Sequence, residues 1–329
     1  MISIRIVITA LLGKKVLNIW INWRLILLET WNALSFQTAP VSHEYVNAIH
    51  SVATGDIPAI VVRGAYSEEN CRLLLQRLFD RKLFVGFEEY GRGGNGRSKI
   101  ERFDLGTSLG NLANNPDEFF TQSKQTNELY EHLFDGLVNP VHVLYHWLEQ
   151  FSGTKSALTA HEPDGRRYGP AIFRCHMPNW GYPPHIDSVR NKGSTLHASA
   201  EKRTQYAVHR FEHQLGGVLL LQDPEEEFAS CDSILYRCEW NNEFEDMMET
   251  VYLGLDEPEA NMISADKFEH YVQANSISTY EVNLSPGDLY FFRAECPHVI
   301  PKFLGKRPRI TLATFFGYTQ SDPEIFVWS

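Results

Sequence analysis

The sequence predicts a mainly β protein with an outer helical layer: a β-sandwich or jelly-roll core preceded by helices. Helical spacing dominates up to about residue 151, and short alternating or β-branched runs dominate from about residue 171 onward. Turn signals such as Pro286-Gly287 and Gly305-Lys306-Arg307-Pro308 separate the later runs. With 329 residues, 43% hydrophobic and 22% charged, the chain has an ordinary globular composition and the length to bury a large core. An aromatic share of 12% suits strands and a lined pocket.

Taken in order, residues 1–34 are apolar but broken by Arg5, Lys14, Lys15 and Arg24, so no run reaches the roughly 18 apolar residues of a spanning helix. This stretch reads as a targeting segment or a peripheral amphipathic helix, and residues 1–40 are set apart from a single domain over 41–329. Residues 41–55 are helical in pattern, Ile60 to Val62 form a short strand, and Ser67 caps a helix of about three turns carrying Leu74, Leu75 and Leu78. Gly91-Arg92-Gly93-Gly94-Asn95-Gly96 fits the dinucleotide-loop spacing, but an extended stretch follows it where a helix is required, so it reads as a flexible loop. Residues 116–151 give two helices broken near Asn139-Pro140, on which His142 and His146 are packed or surface histidines.

The helical part ends near 165, and the core is expected over 168–320. Ala171 to Met177 alternates, with Phe173, Cys175 and Met177 on one side and Arg174 and His176 on the other. His209-Arg210-Phe211-Glu212-His213 matches a zinc peptidase pattern that needs a helix, yet glycines and the strand-like Val218 to Leu221 follow at once. Residues 223–269 read as an acidic insert with strand pieces at 233–240 and a helix near 244–252. Strands return over 276–282, 289–292 and 309–316.

Charge and cysteine usage exclude several classes. The formal charge is -11, and from Asp223 to Glu269 there are 15 acidic residues against Arg237 and Lys267, a local balance of -13. No basic stripe compensates, so a nucleic-acid partner is not expected. The five cysteines include no C-x-x-C pair, which argues for a reducing, intracellular compartment, with residues 1–34 as the candidate organellar address. The sequon at Asn283-Leu284-Ser285 precedes a tight turn and reads as incidental.

The chemistry lies in Gly181-Tyr182-Pro183-Pro184-His185-Ile186-Asp187. In an extended segment His185 and Asp187 share a face, giving two metal ligands on one ledge. A facial triad needs a third ligand, and His298, in Cys296-Pro297-His298, is the candidate; the other late histidine, His270, lies at the end of the insert. Arg309 and Thr311, 11 and 13 residues beyond His298, share a strand face suited to gripping a carboxylate. Arg174, His176 and Asn179 are candidate pocket residues from the strand before the ledge, and Tyr182 and Trp180 candidate wall residues.

Taken in this order, H-x-D, L-x-P-G-D-x-x-x-F, a distal His and R-x-T resemble the iron(II)- and 2-oxoglutarate-dependent dioxygenase superfamily over about Ile172 to Tyr318. The resemblance implies a double-stranded β-helix core, jelly-roll and cupin-like, behind an N-terminal helical layer. It implies that His185, Asp187 and His298 bind Fe(II), that Arg309 with Thr311 binds the distal carboxylate of 2-oxoglutarate with Arg174 in the cosubstrate site, and that O2 is the oxidant. The expected reaction is oxidation of an unactivated C–H bond of a small molecule, hydroxylation by default, with release of succinate and CO2. Related halogenases carry a small residue where Asp187 stands, which opens a halide position; the carboxylate here disfavours halogenation. Two other readings stay open: an oxidative cyclase or desaturase of secondary metabolism, similar to the kainoid synthases, and a non-catalytic jelly-roll module that binds metal. The gap of 111 residues between Asp187 and His298 is longer than in many members, and the acidic stretch accounts for it.

Overall fold

The computed structural model of the protein describes residues 4–12, 15–23, 30–37, 43–84, 102–179, 181–191, 200–225, 231–251 and 260–329. The chain forms two compact units, Met1–Thr30 and Trp31–Ser329. In the first, β1 (Ile4–Leu12) and β2 (Lys15–Trp23) pair antiparallel with Ile4 opposite Trp23 and Leu12 opposite Lys15. The peripheral helix, one of the two readings of this stretch, gives way to a β-hairpin. Ile4, Ile6, Val7 and Ile8 on one strand and Val16, Ile19 and Ile21 on the other are β-branched, and that preference outweighs the helical reading.

The second unit is built on two sheets. The large sheet runs β3 (Leu34–Phe36), β4 (Ala59–Val62), β14 (Leu289–Arg293), β9 (His213–Gln222), β16 (Arg309–Tyr318), β17 (Glu324–Trp328) and β6 (Ser156–Thr159). Branching from β16 are β7 (Ile172–His176) and, beyond it, β5 (Arg102–Leu105). The smaller sheet has the order β13 (Thr279–Val282), β10 (Ser233–Tyr236), β15 (His298–Ile300) and β8 (Tyr182–His185). The smaller sheet is antiparallel and the large one is antiparallel except at its ends, where β3–β4 and β17–β6 pair parallel; together they form the expected jelly-roll, double-stranded β-helix core. Among the described residues the helices are α1 (Ala48–Ala53), α2 (Glu68–Asp80), α3 (Leu109–Leu112), α4 (Pro116–Leu133), α5 (Pro140–Gln150), α6 (Ala200–Arg203) and α7 (Ala265–Ala274). Ser67 caps α2 by accepting from the Asn70 amide, and Asn139 caps α5 with Pro140 in its first turn, which is why the helical stretch breaks there.

Strand alternation divides the large sheet into two faces. Phe173, Cys175, Leu215, Leu219, Phe291, Ile310, Leu312 and Phe316 pack with Leu74, Leu78, Leu144 and Leu148 of the helices in the largest apolar cluster. The intervening residues, Arg174, His176, Gly216, Val218, Tyr290, Phe292, Arg309, Thr311 and Ala313, line a cavity on the side of the smaller sheet. One face thus supplies stability and the other chemistry.

Two differences from expectation concern the acidic stretch. Its first part is core: β10 is a central strand of the smaller sheet, paired with both β13 and β15. The helix expected near 244–252 is a 3-10 turn over Asn242–Met247 that passes into β11 (Met248–Val251), which pairs with β12 (Ala260–Ile263). Asn241 caps that turn, and Phe244 is buried against Ile263 and Phe268, so apolar anchoring overrides helical propensity. The glycine-rich segment at 91–96 and Trp180 lie outside the described residues. Among the described residues no helix is long and apolar enough to cross a membrane, and all five cysteines are free thiols.

The L-x-P-G-D segment has a local physical cause. The Asp288 amide closes a turn onto Ser285 O at 2.9 Å, Pro286 pre-sets the first corner, and Gly287 takes φ 94°. Asp288 is buried and its carboxylate accepts from Ser285 N, Gly64 N and Arg63 Nη1, pinning the β4 loop to the start of β14. A Cβ at Gly287 would lie 1.9 Å from Tyr66 O. Gly287→Ala is therefore expected to destabilise the protein by about 2–4 kcal/mol, through positive-φ strain and the forced retreat of the Tyr66 backbone; equilibrium urea denaturation checks this.

Candidate metal centre

Strands β8 and β15 are antiparallel neighbours, and their register sets His185 directly opposite His298. The two rings face each other with centroids 4.0 Å apart. Asp187 lies two residues past the end of β8, where its amide donates to Ala294 O at 2.9 Å just beyond β14. This anchors the carboxylate between the rings, with Oδ2 3.4 Å from His298 Nε2 and 3.7 Å from His185 Nε2. One donor atom from each residue lies within 4.8 Å of the others, and among the described residues this is the one such cluster of potential ligands.

The ring orientations follow from a repeated backbone contact. His185 Nδ1 lies 2.8 Å from Pro183 O, and His298 Nδ1 lies 3.0 Å from Cys296 O, in each case the carbonyl two residues earlier. An Nδ1–H donating to that carbonyl leaves the Nε2 lone pair turned toward Asp187, the tautomer a metal-binding imidazole needs. Burial, with the neighbouring His298 adding to it, pushes His185 down to about 3, so its ring is neutral near pH 7. For Asp187 desolvation works against ionisation, but its close contacts with His298 and His185 and the positive charge of nearby Arg174 outweigh it and hold the pKa below the usual value. Two imidazoles and one carboxylate turned toward one another at the cavity fit a divalent first-row metal and leave its other face open.

The loop after Asp187 is held from behind. Buried Arg203 donates to Ser188 O at 2.5 Å and to Asn191 O at 2.8 Å, and Gln214 Oε1 accepts from the Val189 amide at 2.7 Å. Aromatic edges close the sides: the Tyr182 ring stands 4.3 Å from that of His185, and Phe292 5.0 Å from that of His298.

Across the cavity Arg309 is the first residue of β16, 4% exposed, with Thr311 on the same face. Its Nε donates to Asp232 Oδ1 at 2.9 Å, and its Nη1 lies 3.4 Å from His176 Nδ1. The His176 pKa is held well below the ordinary value by burial and then by Arg309, Arg102 and Arg174, so the ring is neutral and Nδ1 can accept. Arg174 stands opposite Thr311 in the β7–β16 register and also lines the cavity. Arg307 does not line it: it is tied to Asp223 and to Glu225 at 2.8 Å.

The structure brings together His185, Asp187, His298, Arg309, Thr311, Arg174 and His176 around one cavity with Tyr182 in its wall. It does not include Asn179, which sits in a turn at φ 68° with its amide on Phe303 O and lines no part of the cavity. His209 lies in a 3-10 turn over Ala207–Arg210 and His213 opens β9, so no helix carries the peptidase-like pattern. His142 and His146 are exposed on α5. Asp232 and Arg203 have no motif of their own. The signal for Asp232 is its place just before the alternating Ser233-Ile234-Leu235-Tyr236; Arg203 has none short of the fold.

The family described as carrier-protein-independent halogenase WelO5 matches residues 31–329. Similar solved structures include an N-substituted L-amino acid dioxygenase from Burkholderia ambifaria AMMD in complex with alpha-KG, at 15% identity and TM-score 0.48 over 86% of this chain and 90% of that one. Another is EctD from S. alaskensis with 2-oxoglutarate and 5-hydroxyectoine, at 10% identity and TM-score 0.39 over 85% and 77%. No curated protein sequence matches the chain.

Adding Mn(II) as a redox-silent probe to the metal-free protein is expected to raise its Tm by roughly 5 °C or more at saturation, a shift lost in His185→Ala and His298→Ala. Differential scanning calorimetry reads it.

Proposed function

The chain belongs to the carrier-protein-independent halogenase WelO5 family and is an enzyme of the iron(II)- and 2-oxoglutarate-dependent oxygenase superfamily, and from that premise we propose that it hydroxylates an unactivated C–H bond of a small molecule. The observation that carries this reading is Asp187: a partly buried, ionised carboxylate stands between the two histidines. A halide would need that place, so oxygen transfer is favoured over halogenation even within a family named for halogenases.

Iron(II), when bound, supplies activation of dioxygen coupled to decarboxylation of 2-oxoglutarate to succinate and CO2. The chain's own residues set the geometry. His185, Asp187 and His298 would hold the metal from one face, the two imidazoles oriented by Pro183 O and Cys296 O. Arg309 receives the distal carboxylate of 2-oxoglutarate, with the Thr311 hydroxyl as a second donor. Arg174, to which the described structure gives no hydrogen-bond or ion-pair partner, adds positive charge on the same wall. Phe292, Tyr182, Val218 and Ile300 shape an apolar remainder that excludes water around the reacting carbon.

Desaturation or ring closure would use the same site, because both differ from hydroxylation only in how the substrate is held. Halogenation is the second reading, favoured by the family match. Product mass from turnover in buffered chloride or bromide separates them: gain of one oxygen is expected, and replacement of hydrogen by halogen would overturn the proposal. For the cosubstrate, Arg309→Ala is expected to raise the KM for 2-oxoglutarate roughly 30–100-fold, the worth of about 2–3 kcal/mol for a charge-assisted pair, with partial recovery at high 2-oxoglutarate. Succinate release measures it, and an equal loss in Arg307→Ala alone would contradict the assignment.

A further inference from the structure

We infer that Asp232 is a positioning residue for the cosubstrate, aiming Arg309 at the distal carboxylate; this rests on the reading of Arg309 given above. Asp232 immediately precedes β10 in the smaller sheet, whereas Arg309 opens β16 in the large one. Their ion pair spans the gap between the sheets at the rim of the cavity, with side chains 11% and 5% exposed. Both carboxylate oxygens are committed: Oδ1 accepts from Arg309 Nε at 2.9 Å and Oδ2 from the Leu284 amide at 2.8 Å. The Leu284 contact fixes the carboxylate to the backbone beside the Ser285-Pro286-Gly287-Asp288 turn, so it cannot follow a wandering arginine.

A guanidinium offers two edges to a carboxylate, one through Nε and one through the two terminal nitrogens. Asp232 takes the Nε donor, and neutral His176 lies on Nη1 from the other side. The end-on fork alone remains for a ligand, in a side chain whose rotation is stopped from two directions. Burial makes this matter, because a misdirected fork in a 4% exposed site leaves both its own donors and the ligand's carboxylate unsatisfied. Asparagine has one acceptor oxygen, so Asp232→Asn cannot serve Arg309 Nε and Leu284 N together.

The test compares two probes, 2-oxoglutarate and 2-oxovalerate, which has the same chain length but no distal carboxylate, by titration calorimetry of the Mn(II)-loaded protein. Wild type is expected to bind 2-oxoglutarate more tightly. Asp232→Asn is expected to weaken 2-oxoglutarate roughly tenfold or more while changing 2-oxovalerate less than about twofold, collapsing the preference. Asp232→Glu keeps the charge but displaces it by a methylene and is expected to show a smaller loss with the same selectivity. Should Asp232→Asn not fold, Asp232→Glu alone decides. Parallel weakening of both probes would make Asp232 a general structural residue and overturn the inference, as would unchanged 2-oxoglutarate affinity. Equal binding of the two probes by wild type would overturn the Arg309 reading itself, and this inference with it.

Discussion

An ionised carboxylate held between two imidazoles is the constraint on which the rest of this molecule depends. Asp187 is held below its ordinary pKa in a buried setting that by itself would raise it, so compensation has to come from close neighbours. Two histidines on adjacent antiparallel strands, set opposite each other by the register, and nearby Arg174 supply it. A slip of one residue would turn His298 to the opposite face of the sheet and break the cluster. The backbone carbonyls behind the rings, the Ala294 contact and the buried Arg203 hold this arrangement in place before any metal arrives. Preorganisation of that kind is what a metal site needs to bind without rearranging its surroundings.

The large sheet serves two masters through its period of two. Leu312 and Phe316 face the helices, and Thr311 and Ala313, from the same strand, face the cavity. The helical layer thus stabilises the wall that carries Arg309, Thr311 and Arg174 without entering the site. Arg309 in turn depends on both sheets, since its counterion comes from the smaller one.

Much of this was legible in the sequence wherever a local period or spacing encodes it. Alternation in 172–176 and 309–316 distinguishes the pocket face from the core face because the two faces meet different surroundings. His185 and Asp187 are legible as a pair because they are two residues apart, and His298 through its place before R-x-T. Asp232 is not legible in this way. It lies in a stretch whose excess of acid reads as solvated, and only the fold, which brings the start of β10 beside Arg309, reveals its role. The helix expected near 244–252 yields to a turn and strand because Phe244, Ile263 and Phe268 are brought together by tertiary packing, which no window of residues encodes. The hairpin at residues 4–23 carries its β-branched signal in plain view, yet an apolar stretch broken by scattered cations reads equally as a helix.

Membership of a family described by halogenation, with a carboxylate at the third ligand position, makes the coordination of the metal the decisive question. A crystal structure of the protein loaded anaerobically with Fe(II), 2-oxoglutarate and chloride answers it. The account predicts iron bonded to His185 Nε2, Asp187 and His298 Nε2, the keto acid on the open face, the distal carboxylate on Arg309, and no chloride on the metal. Iron held by the two histidines alone, with Asp187 turned away and chloride in its place, would contradict it.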